Sequence, residues 1–386
     1  MTRLTAYVSG LVAIDLALFS AIVPLLPDIA ERLDLSKFES GILLGSYSAS
    51  VLVFAVPVGH LADRAGMRAV TVAGSLLMAA ATAVFAVGDS FALLVVARIA
   101  QGLASSIAWS AGLAWLAART PPERRGGAIS VANASATGGM IAGPLLGGTV
   151  ASAVGVRETF LAAAAVSVGF AVWGAVEHDA RAHDEREASF RAAIRAAAAS
   201  RLIAVSLAVI LLVALVGGTL QVLMPLHLGH NGVSQSTLGW LYAGGAVLGA
   251  VAITLTGRLG DRHGRLPIAR VACPALGLAV AALLLPLGTT VFAAMLVAIA
   301  PVQSVLYGVG YPLGADGADR AGLGHGLVLG MVNLLWGLGA VLGPVVGAGI
   351  ADAFGDRAAY ATLVVLSFAV GSAVVRASGP RRPAQV

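Results

Sequence analysis

The sequence predicts an all-α integral membrane protein: twelve transmembrane helices in two pseudo-symmetric six-helix bundles. Three observations carry that prediction. Of 386 residues, 58% are hydrophobic and 11% charged, and a mean hydropathy of +0.91 excludes an ordinary soluble domain. Apolar runs of about 20 residues, the length that crosses a bilayer as a helix, recur along the whole chain. The two ends of the chain repeat each other's motifs at near-constant spacing.

The runs fall at 5–27, 39–59, 67–87, 91–117, 128–151, 158–176, 202–225, 236–256, 267–287, 290–312, 324–349 and 357–376. Lipid cannot satisfy exposed backbone groups, and the runs are too long and continuous for barrel strands, so helices are the spanning form. One early cation, Arg3, precedes the first run. No small-residue cleavage pattern follows it and eleven more runs do, so it reads as a retained helix rather than a signal peptide.

Basic residues in the short loops set the orientation. With both termini cytoplasmic, nineteen of the 24 Lys and Arg residues lie inside. Only Arg32, Lys37, Arg157 and Arg357 lie outside, and Arg98 is within a span. The chain is therefore expected in the plasma membrane (the inner membrane of a two-membrane cell) with both termini cytoplasmic. Its isoelectric point near 9.9 reflects charges that face anionic lipid, not nucleic acid.

Span 2 ends in Gly59-His60-Leu61-Ala62-Asp63-Arg64-Ala65-Gly66, and span 8 in Gly257-Arg258-Leu259-Gly260-Asp261-Arg262-His263-Gly264. Span 5 carries Gly139, Gly143, Pro144 and Gly147; span 11 carries Gly339, Gly343, Pro344 and Gly347. Gln101 in span 4 matches Gln303 in span 10, and Pro24 in span 1 matches Pro225 in span 7. A duplicated six-helix unit explains all four, and such repeats commonly enclose a midplane site. The bundles are expected at 1–176 and 202–376, joined by a cytoplasmic linker at 177–201 and followed by a tail at 377–386. The alanine-rich stretch from Ser189 to Ser200 favours helix along the membrane surface.

Two charges remain in hydrocarbon, Asp15 in span 1 and Arg98 in span 4. Each costs roughly 3 kcal/mol on insertion scales, and such residues mark substrate or proton paths. At about 1.5 Å per residue, Asp15 lies ~18 Å and Arg98 ~12 Å below the outer ends of their helices. The long arginine side chain is expected to close that gap, directly or through water. The duplication places Val216 and Ala300 at the equivalent positions, so the charge-bearing half is the first.

The loop at 59–68 resembles the cytoplasmic signature of the major facilitator superfamily. Arg98-Ile99-Ala100-Gln101-Gly102 resembles that family's fourth-helix motif, and 138–148 its fifth-helix motif in proton-coupled drug antiporters. Asp15 followed by Pro24-Leu25-Leu26-Pro27 is similar to the first helix of the drug/proton antiporter 1 group of 12-spanners. The resemblance implies the major facilitator fold and a secondary transporter that exports lipophilic drugs or metabolites against protons by alternating access. In that group the monoamine carriers also use acidic residues in their last spans. Here spans 10 and 11 offer Gln303 and Asn333, with Asp316 and Asp319 in the loop between, which leaves a general efflux role.

Under this reading Asp15, Arg98 and Gln101 form the proton-coupling group. Desolvation favours the neutral form of a carboxyl and a nearby cation favours the charged one, the balance a proton carrier needs. Gly59, Asp63, Arg64, Gly66 and Arg68 form a cytoplasmic latch, with Asp261, Arg262 and Gly264 as its counterpart. The resemblance implies that Asp63 holds the start of the eleventh helix near Gly322–Gly326, where a helix N-terminus favours an anion. The two glycine ladders, spaced for close helix contact, are expected to form the seam between the halves. Tyr47, Trp109, Asn133, Gln221, Tyr242, Gln303, Tyr307, Asn333 and Trp336 are candidates for a greasy substrate cavity. It would take small lipophilic compounds, cations among them, with Asp15 as the obvious buried anion.

No catalytic cluster appears, and His227 with His230 supplies too few ligands for a metal. No cofactor is expected beyond the coupling protons. One chain suffices as a functional monomer, with membrane lipid its only other partner. The competing reading is an uptake carrier for a small nutrient, by proton symport or facilitated diffusion.

Overall fold

The computed structural model describes residues 2–178 and 200–377. Most of the expected linker and tail, including the helix expected from Ser189, lie outside the described residues. Twelve helices among them are long and apolar enough to cross a membrane. They are α1 Arg3–Leu33, α2 Lys37–Ala65, α3 Met67–Val87, α4 Phe91–Arg119, α5 Pro122–Val154, α6 Val156–Ala175, α7 Arg201–His230, α8 Gln235–His263, α9 Arg265–Leu284, α10 Thr289–Ala321, α11 His325–Phe354 and α12 Asp356–Ala377. No strand occurs among the described residues.

Many helices run past the predicted spans because polar residues cap them beyond the apolar core. Ser36 accepts from the Glu39 backbone N–H and Glu39 reaches back to the Ser36 N–H, a reciprocal start for α2. Ser234 caps α8 at the equivalent place. Gly66 (φ 92°) turns α2 into α3, and Gly264 (φ 81°) turns α8 into α9. Side chains rarely adopt that backbone conformation, which explains a glycine at both copies of the loop motif.

The glycine ladders do not join the halves. A Cβ at Gly139, Gly143 or Gly147 would strike the carbonyl oxygens of Ala13, Ala17 and Ala21, all on α1. In the second half Gly343 would meet the Leu215 carbonyl oxygen at 2.6 Å, and Gly339 and Gly347 would strike Ala214 and Thr219, all on α7. The expected inter-half seam is therefore corrected for the glycine Cα faces, which bind α5 to α1 and α11 to α7 within each bundle; Pro144, Pro344 and the Gly147 carbonyl do face the other half. Spacing shows that a helix is approached closely, not by which neighbour.

The seam uses the two prolines differently. The Pro344 carbonyl oxygen lies where a Cβ of Gly41 on α2 would be, and the Pro144 carbonyl oxygen would be 2.5 Å from a Cβ of Gly239 on α8. Gly41 and Gly239 occupy equivalent positions of the two repeats, so the contact is two-fold. Around it, Lys37 Nζ meets Asp356 Oδ1 at 2.5 Å, the Asp352 carboxylate accepts from the first N–H groups of α2, and Gln235 Nε2 donates to the Gly147 carbonyl at 2.6 Å.

All these contacts lie at the end opposite the loop motifs. At the motif end a Cβ on Gly59, Gly257, Gly324 or Gly326 would find nothing within 4 Å, and Asp63, Arg64, Asp261 and Arg262 make no hydrogen bond or ion pair with a described residue of the other half. Replacing Gly143 with Val should cost about 1–3 kcal/mol through overpacking. Gly126→Ala, in open space, should leave stability near the parent. Thermal unfolding of the purified protein in detergent checks both.

Candidate functional site

One face of α4 carries Arg98, Gln101, Ser105 and Trp109 at helical spacing, and all four turn toward α1, α2 and α3. A π turn spans Ala108–Gly112 at the Trp109 end of this row; such bulges recur at functional sites. Asp15 on α1 and Arg98 are each 1% exposed.

The Asp15 carboxylate accepts three hydrogen bonds. Tyr47 Oη donates to Oδ1 at 2.7 Å. Ser105 Oγ and Trp109 Nε1 donate to Oδ2 at 2.8 and 2.9 Å. Arg98 makes no salt bridge with it. Its guanidinium carbon stands 4.6 Å from the centre of the Tyr47 ring and 5.9 Å from that of Phe19. Arg98 Nη1 donates to Gln101 Oε1 at 3.0 Å, and Gln101 Nε2 donates to Thr82 Oγ1 at 3.2 Å. Arg98 Nε and Nη2 are buried without a partner.

The expected direct contact of Arg98 with Asp15 is not made; both meet Tyr47 instead, whose ring face receives the cation and whose hydroxyl serves the carboxylate. The residue types suit this: an aromatic face attracts a guanidinium, and the phenol edge carries a donor. Tyr47 and Trp109 belong to this cluster, not to the cavity where the sequence reading put them. Ser105 and Thr82 escaped that reading. Ser105 was legible as the position seven after Arg98 on the same helical face; Thr82 lies on another helix and left no local signal.

A separate cavity lies between the halves in two lobes that share Met140, Gln221, Gly245, Ala246, Ala300 and Gln303. Tyr242 lines one lobe. Tyr307 and Trp336, joined by a 3.2 Å hydrogen bond, line the other. Asn133 and Asn333 line neither lobe and are exposed; Asn333 Oδ1 accepts from Tyr311. The cavity is built mainly from α7, α8, α10 and α11. Phe19 lines the cavity and packs on Tyr47 at 4.9 Å between ring centres, so it is the wall shared with the charge cluster.

The loop motifs are disengaged in this form. Asp63, Arg64 and Arg262 make no hydrogen bond or ion pair with a described residue. Arg68 Nη1 donates to the Glu177 carbonyl at 3.3 Å, within its own half. Asp261 pairs with Arg265 at 3.3 Å, and Arg265 also binds Asp316 on α10. Asp63 makes no hydrogen bond to the start of α11, where His325 instead meets Asp319 at 2.9 Å.

Residues 8–322 match the family model described as Major Facilitator Superfamily. The MFS-type transporter ppzB of Metarhizium majus is 33% identical over 156 residues, 39% of this chain and 34% of that protein. The quinolone resistance protein NorA of Staphylococcus aureus is 26% identical over 147 residues, 38% of each chain. The chain thus spans little more than a third of the length of the curated relatives it matches. Among solved structures, a bacterial homolog of the human lysosomal transporter Spinster, inward-facing and unoccupied, superposes with a TM-score of 0.80 at 18% identity over 97% of this chain and 96% of that one. The nucleoside transporter NupG does so with 0.79 at 12% identity over 97% and 100%. At such identities the likeness is one of fold.

Tyr47→Phe keeps the ring under Arg98 and removes one donor from Asp15, whereas Tyr47→Leu removes both. The Leu variant should be less stable than the Phe variant by a further ~0.5–2 kcal/mol, the value of a desolvated cation–ring contact. Thermal unfolding of the two variants checks the difference.

Proposed function

This chain belongs to the major facilitator superfamily, and we propose that it is a proton-coupled antiporter of the drug/proton antiporter 1 type, exporting lipophilic compounds from the cytoplasm. The observation that carries this reading is a buried carboxylate with three donors, beside an arginine whose Nε and Nη2 have no partner.

An ionised carboxylate only accepts hydrogen bonds; a protonated one must also donate. Trp109 Nε1 donates only, so Oδ2 stays an acceptor. The incoming proton is best placed on Oδ1, where the Tyr47 hydroxyl can rotate to accept it. Protonation then leaves Arg98 as an uncompensated cation in the membrane, with Nε and Nη2 unpartnered. Buried unpaired charge is costly, so the protonated site favours a rearrangement that brings water or another acceptor to Arg98.

Phe19 supplies the mechanical link. A compound in the central cavity rests on Phe19, and Phe19 rests on Tyr47. Substrate release and proton binding therefore act on one aromatic pair. With both termini cytoplasmic, the form described here opens to the cytoplasm, and its latch residues close only when the motif ends meet. Asp63 would then reach the N-terminus of α11, whose free N–H groups favour an anion.

Asp15→Asn removes the proton site and keeps the side chain's size. In everted vesicles with an acidified interior, the parent protein should accumulate a lipophilic dye and the Asn variant should not, while gradient-free exchange of dye across the vesicle membrane persists. Full proton-driven accumulation by the Asn variant would overturn the assignment.

A further inference from the structure

The second half of the cavity holds an amide that its repeat partner explains. In the first half, Gln101 spends both ends of its side chain: Oε1 accepts from Arg98 and Nε2 donates to Thr82. The duplication maps Gln101 onto Gln303 and Arg98 onto Ala300. With alanine there, no guanidinium engages Gln303. Its Nε2 is buried with no hydrogen-bond partner and lies 3.6 Å from where a Cβ of Gly217 would stand. Gly217, with no side chain of its own, leaves the amide room to turn toward the cavity, which both residues line. One turn further along α7, Gln221 lines both lobes as well.

The rest of the lining decides what this pair of amides can hold. No Asp, Glu, Lys, Arg or His lines either lobe among the described residues. Asp15 faces a different, small pocket inside the first bundle, and its oxygens are taken by three donors. A cation in the cavity would lose its hydration and gain no counterion, which is unfavourable. A neutral molecule with a strong acceptor would instead supply the partner that Gln303 Nε2 lacks, and an unsatisfied buried donor is costly.

We propose that Gln303, supported by Gln221, is the polar anchor of a subsite for uncharged lipophiles bearing a carbonyl- or phosphoryl-type hydrogen-bond acceptor. The proposal rests on the export reading only in placing the substrate in this cavity. The charged relay of one repeat has become the neutral recognition notch of the other. Since the exported molecule carries no charge, each proton exchanged for it moves net charge across the membrane.

Three probes of similar shape separate the terms: triphenylphosphine oxide (neutral, strong acceptor), tetraphenylphosphonium (permanent cation) and triphenylmethane (neutral, no acceptor). Equilibrium binding of each radiolabelled probe to the purified full chain is measured without any gradient, so a failure of proton coupling at Asp15 leaves this readout intact. Triphenylphosphine oxide is expected to bind tightest. Gln303→Leu should weaken it about five- to tenfold, the value of a neutral hydrogen bond, and leave triphenylmethane unchanged. Gln303→Glu should shift preference toward tetraphenylphosphonium. Equal or tighter binding of the phosphonium by the parent, binding of none of the three, or an unchanged phosphine oxide affinity in Gln303→Leu overturns the proposal.

Discussion

The buried pair of Asp15 and Arg98 is the constraint around which the first bundle is organised. Neither charge tolerates hydrocarbon alone. The fold answers with Tyr47, which offers a ring face to the cation and a hydroxyl to the anion. Ser105 and Trp109 complete the carboxylate, while Gln101 and Thr82 take one edge of the guanidinium relay. Four helices contribute, so the cluster fixes their relative rotation. The incomplete solvation of Arg98 keeps this from being a settled structural ion pair, and that imbalance is what a coupling site requires.

Duplication gives the molecule its frame, and divergence gives it direction. Equivalent glycines turn equivalent helices at Gly66 and Gly264, and equivalent prolines present carbonyls to Gly41 and Gly239. Yet the equivalents of Asp15 and Arg98 are Val216 and Ala300. Ala300 lies in the wall of the central cavity, so an alanine in place of the arginine leaves space there as well as sparing the cost of a buried charge. One bundle keeps the titratable group and the other supplies most of the cavity, with Phe19 between them.

Much of this was legible beforehand. Span count follows from hydropathy, because a bilayer demands long apolar helices. Asp15 and Arg98 stood out because charge in a span is rare. The partners were less visible. Tyr47, read as a cavity residue, sits on α2, and no local pattern says which neighbouring helix its ring will meet. The glycine ladders foretold intimacy of packing but not its partner: Gly143 meets Ala17 in its own bundle, while the contact between bundles belongs to Gly41 and Gly239. The latch was readable as a motif, but the contact that the resemblance implies for Asp63 lies between halves, and Asp63 makes no hydrogen bond or ion pair with a described residue here. Arg265, which gathers Asp261 and Asp316, lacked a counterpart in the first repeat, where Met67 stands, and so went unnoticed.

The far-end closure meets largely backbone against backbone, glycine under proline carbonyl at two symmetric points. At those two points no side chain has to choose a rotamer when the surfaces join, so the ordering cost falls on the surrounding Lys37, Gln235, Asp352 and Asp356. Under the proposed export reading, a joint of that kind would leave the proton and the cargo, rather than the seam, to decide which way the molecule faces.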